Sequence, residues 1–111
     1  MLLIWYPKCS TCRKAKAWLD EHGILCELRD IKEHPPTREE LAQWQPYSGM
    51  PLRKWFNTSG QVYRSLGLKD KLPGLTEEEQ LELLAGGGML VKRPILLDGQ
   101  RVLIGFRAEA W

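Results

Sequence analysis

The chain opens on an unbroken run of apolar side chains, Leu2-Leu3-Ile4-Trp5-Tyr6, that stops at Pro7. A short run with no polar alternation predicts a strand covered on both faces, and so central in its sheet. From Thr11 to His22 the period changes. Ala15, Trp18, Leu19 and His22 recur at helical spacing, Arg13, Lys14, Lys16, Asp20 and Glu21 fall mostly elsewhere, and Gly23 follows as a stop. That pattern predicts an amphipathic helix. Beyond it, Ile24, Cys26 and Leu28 alternate against Glu27 and Arg29 up to Asp30, which predicts a second strand with one buried face. Strand, helix and strand within roughly 30 residues make a right-handed βαβ unit with parallel strands.

The middle of the chain is helical in pattern. Pro35-Pro36 breaks the chain, and Thr37-Arg38-Glu39-Glu40 reads as a capping box opening a helix to Gln45. Pro46 to Gly49 reads as a turn, Met50 to Phe56 as a helical segment opened by Pro51, and Asn57-Thr58-Ser59-Gly60 as a loop. A short helix from Val62 to Leu66 ends at Gly67. A second capping box, Thr76-Glu77-Glu78-Glu79, opens a helix to Ala85 that Gly86-Gly87-Gly88 terminates. Then Pro94-Ile95-Leu96-Leu97 and Val102-Leu103-Ile104 flank Asp98-Gly99, a hairpin signal, and Arg107 to Trp111 reads as the start of a short final helix. The predicted architecture is α/β: a thioredoxin-like fold, βαβ then a β-hairpin in a mixed four-stranded sheet. It forms one domain over residues 1–111, enlarged by a helical insertion at 35–88.

Composition agrees with one folded domain. The 111 residues are 43% hydrophobic and 27% charged, enough for one core but not two. The net charge is +2, with both signs interspersed, so there is no electrostatic footprint for direct nucleic-acid binding. Binding to a protein that itself touches DNA stays open. The opening apolar run is too short for a signal-peptide core, and no run approaches the ~20 residues of a membrane helix. Three cysteines are an odd number, and two form a tight pair, which favours functional thiols in a reducing cytoplasm over a secreted disulfide scaffold.

The chemistry centres on Cys9-Ser10-Thr11-Cys12, placed where the first strand ends and the helix begins. A sulfur at Cys9 faces the unsatisfied N–H groups and positive end of the helix, and Lys8 and Arg13 add charge nearby. These effects favour the thiolate, the reactive species. Cys12 lies within one turn and can close a disulfide with Cys9. A half zinc site would need two more ligands from Cys26, His22 and His34, of which Cys26 and His22 are better explained by core positions. No metal or other cofactor is therefore expected. Cys26, with Ile24 and Leu28, reads as a buried, inert thiol. Trp5, Trp18, Trp44, Trp55 and Trp111 are scattered over several elements, which suits packing better than base stacking. Arg93-Pro94 is the second feature of interest. In a thioredoxin-like fold the strand after the insertion starts beside C-x-x-C, often with a cis proline. That placement brings Arg93 near Cys9 to stabilise a thiolate or hold an oxyanion. Gly86-Gly87-Gly88 has neither the preceding strand nor the Gly-Lys-Ser/Thr of a phosphate loop and reads as a helix terminator.

Together these motifs resemble the ArsC/Spx/MgsR family. The resemblance runs through Tyr6-Pro7-Lys8-Cys9-Ser10-Thr11-Cys12-Arg13-Lys14-Ala15, Trp18-Leu19-Asp20-Glu21-His22-Gly23 and Pro36-Thr37-Arg38-Glu39-Glu40-Leu41. It continues through Phe56-Asn57-Thr58-Ser59-Gly60, Tyr63-Arg64, Leu66-Gly67-Leu68, Lys92-Arg93-Pro94-Ile95 and Ile104-Gly105-Phe106, essentially the whole chain. It implies a thioredoxin-like fold with a helical insertion. For the family's arsenate reductases it implies Cys9 as nucleophile, arginines that hold the oxyanion, and recycling by an external thiol donor such as glutaredoxin or thioredoxin. Arg93 matches one such arginine. A second falls at about Asn57 and is missing here, and a third falls near Gly105 to Arg107, where Arg107 is the candidate. For the Spx and MgsR branch it implies a C-x-x-C sensor that binds RNA polymerase through the C-terminal domain of its alpha subunit, and Cys-Ser-Thr-Cys suits that branch better. An Spx arginine of the polymerase interface falls at about Ser59, again not basic, and an Spx glycine matches Gly49.

Overall fold

A computed structural model describes all residues, 1–111. Its four-stranded sheet has the order β2-β1-β3-β4. Strand β1 (Leu2–Trp5) is central, parallel to β2 (Glu27–Asp30) and antiparallel to β3 (Ile95–Asp98), and β3 pairs antiparallel with β4 (Arg101–Ile104). Helix α1 (Ser10–Glu21) covers one face of the sheet. The insertion covers the other with α2 (Arg38–Ser48), α3 (Gln61–Ser65), α4 (Leu68–Lys71) and α5 (Glu77–Ala85).

The period-2 alternation of strands divides the core in two. Leu3 and Leu96 point to the α1 face and pack with Leu19, with Trp5, Trp18, Ile24, Cys26, Leu103 and Trp111 around them. Ile4, Ile95 and Val102 point to the other face and join a larger cluster that includes Trp55, Phe56, Leu41, Leu84 and Val91. Burial on both faces is why β1 carries no polar residue. On α1 the buried positions are Cys12, Ala15 and Leu19, so Cys12 is itself part of the helix's apolar stripe.

Several expectations are corrected. Strand β2 begins at Glu27, not Ile24, because β1 has no backbone left to pair with earlier residues; the ladder opens with Glu27 N–H donating to the Met1 carbonyl at 2.9 Å. Leu28 is 45% exposed, since β2 is an edge strand. Cys26 is half-buried beside the smaller cluster, not sealed in a core. His22 is exposed at the end of α1, stacked on Trp18 at 3.9 Å, and is not a core residue. Helix α2 runs through Pro46 to Ser48 and ends at Gly49 in the left-handed region (φ 68°). Pro46 removes one N–H near the last turn, where few bonds remain to lose. Arg107 to Trp111 forms hydrogen-bonded turns and no helix, with Ala110 N–H donating to the Arg107 carbonyl. Gly88 does more than stop a helix: a Cβ there would lie 2.0 Å from the Ile31 carbonyl oxygen, so a side chain is excluded by close approach.

Both capping boxes form in full. Thr37 caps α2 and Thr76 caps α5, each accepting from the backbone N–H three residues on, while Glu40 and Glu79 accept from the capping residues' N–H. No helix is long and apolar enough to cross a membrane.

Candidate active site

Pro7 ends β1, and Cys9 sits at the N-cap of α1 with extended backbone, so its sulfur lies at the open end of the helix. Burial disfavours a charge at Cys9, yet its pKa is lowered below the ordinary thiol range. The opposing effects are the backbone N–H of Cys12, the Cys12 side chain, the Arg93 charge and the backbone N–H of Thr11. Cys12 is the reverse case. It is fully buried, and burial pushes its thiol up to about 12, against a backbone hydrogen bond from Tyr6 and with the Cys9 sulfur adding to the rise. The nearness of the two sulfurs therefore lowers the first thiol and raises the second. All three cysteines are free. Cys26 is raised, by burial first.

Arg93 approaches from β3. The Phe56↔Val91 bridge, with Asn57 N–H donating to the Leu90 carbonyl at 2.8 Å and Lys92 N–H to the Trp55 carbonyl at 2.7 Å, lays the Asn57 loop beside Lys92-Arg93. The Arg93-Pro94 bond is cis, and Pro94 is buried. The guanidinium donates to the Met89 and Val91 carbonyls at 3.4 and 3.5 Å and lies 5.4 Å above the Tyr6 ring, while its buried Nε has no partner. These contacts hold it in place.

Cys9 and Arg93 line one cleft of about 600 Å³, together with Thr11, Asn57, Lys92 and Arg107. Arg107 is exposed, 3.8 Å from Glu109. Lys8 and Arg13, expected beside the thiol, are exposed and do not line the cleft, and Arg13 donates instead to the Pro7 carbonyl at 3.4 Å. The charge acting on Cys9 is that of Arg93. Two contributors escaped the sequence reading. Tyr6 reads only as the end of a strand, and Lys92 only as the neighbour of Arg93. No group of three or more His, Cys, Asp or Glu side chains is arranged to hold a metal ion.

A sheet of this order, a helical insertion and a paired C-x-x-C at the first helix define an ArsC-like member of the thioredoxin-like fold class. The ArsC family model matches residues 4–111, and the chain belongs to the ArsC family. It is 55% identical to the uncharacterised protein YusI of Bacillus subtilis (strain 168), covering 95% of this chain and 89% of that one. It is 36% identical to the regulatory protein MgsR of the same organism (91% and 79% covered). It is 30% identical to the global transcriptional regulator Spx of Streptococcus mutans (93% and 74% covered). Among solved structures, an ArsC-family-related protein from Bacteroides fragilis superposes with a TM-score of 0.97 at 54% identity, covering 99% of this chain and 92% of that one. The arsenate reductase from Vibrio cholerae gives 0.84 at 26% identity (99% and 94% covered).

Proposed function

We propose that this chain is a thiol–disulfide redox protein in which Cys9 is the nucleophile and Cys12 the resolving thiol. The observation that carries this reading is the asymmetry of the pair: a half-buried Cys9 favoured as thiolate beside a buried Cys12 kept as S–H. Cys9 attacks one sulfur of a disulfide and expels the other as a thiolate. Cys12 then gives up its proton as it attacks the Cys9 sulfur, closing the Cys9–Cys12 bond and releasing the second thiol, which takes that proton. Two electrons pass from the cysteine pair to the substrate, and an external thiol donor such as glutaredoxin or thioredoxin returns them. Arg93 stabilises the attacking thiolate, and Pro94 fixes where β3 starts.

The same cleft suits a small oxyanion, and arsenate is the one named for the relative from Vibrio cholerae. Disulfide exchange is the better reading because Asn57 stands where the family's arsenate reductases have an arginine, which leaves one charge-assisted bond unmade. The test uses two variants. Cys12→Ser accumulates a mixed disulfide on Cys9 that mass spectrometry detects, and Cys9→Ser gives none. A mixed disulfide on Cys12 or Cys26 instead would overturn the assignment. Arsenate-dependent consumption of a thiol donor, with glutaredoxin or thioredoxin supplied, would move oxyanion reduction to first place.

A second reading is favoured by the similarity to MgsR and Spx. In it, closure of the Cys9–Cys12 disulfide alters a surface that docks on RNA polymerase, at the C-terminal domain of the alpha subunit. Binding of that domain by the oxidised but not the reduced protein would support it. Both readings belong to a reducing cytoplasm and need neither a membrane nor direct contact with nucleic acid.

A further inference from the structure

Next to the Cys9 cleft lies a second cavity of about 240 Å³, lined by Arg53, Lys54 and Lys92 with the Asn57 loop. Asn57, Ser59 and Lys92 line both, so the two cavities share a wall. The fold has specific reasons to bring these cations together. The turn Leu52–Trp55 buries Leu52 and Trp55, which leaves Arg53 and Lys54 on its outer side. Lys92 is fixed by its backbone bond to Trp55, and its stem passes Gly105, where a Cβ would be 3.1 Å from the Lys92 Cε.

No carboxylate lines either cavity. Arg53, Lys54, Lys92 and Arg93 form no ion pair within the chain, and of the cations lining the two cavities only Arg107 faces a carboxylate, that of Glu109 at 3.8 Å. Unmatched positive charge in a concave surface focuses its field on whatever enters. The size also points beyond a single small anion. A cleft of about 600 Å³ falls in the range of roughly 300–1,000 Å³ that holds a drug-sized ligand, whereas a four-oxygen anion occupies only a few water volumes of about 30 Å³ each.

We propose that the second cavity is an anion subsite that selects disulfides bearing carboxylates, with Lys92 at the junction and Arg53 and Lys54 beyond it. This rests on the thiol–disulfide reading and names its substrate class. One sulfur of the substrate meets Cys9 in the larger cleft, and the carboxylates of that half lie in the smaller one. The reaction stays balanced as above: the substrate disulfide takes two electrons from Cys9 and Cys12 and leaves as two thiols, and the protein is left with one disulfide.

The test measures second-order rate constants of the reduced protein with three disulfides. These are dithiobis(nitrobenzoate), which carries carboxylates, the neutral 2,2′-dithiodipyridine and the cationic cystamine. Each constant is divided by that of free 2-mercaptoethanol to remove intrinsic reactivity. The expected order is anionic, then neutral, then cationic. In the Arg53→Gln/Lys54→Gln variant the anionic-to-neutral ratio should fall about tenfold, within the usual range of electrostatic steering. The Lys69→Gln/Lys71→Gln variant removes the same charge elsewhere and should keep the ratio. A ratio equal to that of the free thiol, or equal losses in both variants, would overturn the subsite and leave the thiol chemistry standing. No reaction with any of the three would remove the thiol–disulfide reading and the subsite with it. A peptide disulfide flanked by aspartates and its asparagine counterpart then separate an acidic peptide substrate from a small molecule.

Discussion

Cys9 and Cys12 stand one helical turn apart, yet burial and hydrogen bonding set their thiols in opposite directions. Alkylation by iodoacetamide followed against pH should show a fast Cys9 with an inflection below the ordinary value of about 8.5. Cys12 should stay unreactive until the protein unfolds. In Arg93→Ala the Cys9 inflection should move up, because the fixed guanidinium beside the cleft is gone. An unmoved inflection would mean that the helix terminus alone activates the thiol. Gly88 is a residue-scale constraint of another kind. Gly88→Ala places a methyl against the Ile31 backbone and should destabilise by about 3 kcal/mol or more, the upper end for overpacking. Gly87→Ala, with extended backbone and open space around the new methyl, should have little effect. Denaturant midpoints of the two variants make the comparison.

At the level of elements, one side chain joins β2 to α2. Glu40 completes the α2 capping box and also takes a bidentate bond from Arg29, 2.8 Å at each oxygen. Arg29 donates further to the His34 and Pro35 carbonyls and lies 5.9 Å from the Trp44 ring. The Arg29 side-chain bond is the main cause of a lowered Glu40 pKa. A depressed carboxyl contributes stability above its unfolded value of about 4.3, and that contribution is lost as pH falls through the folded value. Glu40→Gln should therefore be less stable than the native protein at neutral pH by about 1.5–3 kcal/mol, the range for bonds to charged groups. The gap should narrow as pH falls below the unfolded value, and urea unfolding followed from pH 7 downward measures it. A gap that does not narrow with falling pH would exclude the ion pair as its source. Both capping boxes were legible as Thr-x-x-Glu, because a cap is local. Arg29 was not, because its partner is 11 residues away across a chain break at Pro35-Pro36.

Across the whole molecule, the reduced state is the one in which the Cys9 sulfur can carry charge at the helix terminus beside Arg93. Closing the Cys9–Cys12 bond removes that anion, so the oxidised protein should unfold at lower denaturant than the reduced one, and Arg93→Ala should narrow the difference. Because the cross-link also restricts the unfolded chain, the change on Arg93→Ala is the decisive reading, and no change there would contradict a thiolate stabilised by that charge. The order of elements, the central place of β1, both capped helices, the hairpin and the position of C-x-x-C at a helix start all follow from the sequence. Each depends on period, turn chemistry or neighbours within a few residues, and these act on the chain before it folds. What lay between distant segments was decided only in three dimensions. The length of β2 was set by how much of β1 remained to pair, and the exposure of Leu28 by its place at an edge. The fate of Cys12 depended on the core it faces, and the space at Gly88 on Ile31. Arg93 was expected beside Cys9 from its place ahead of the strand that follows the insertion, whereas Lys8 and Arg13, nearest Cys9 along the chain, lie in solvent, because a charge acts through space and not along the sequence.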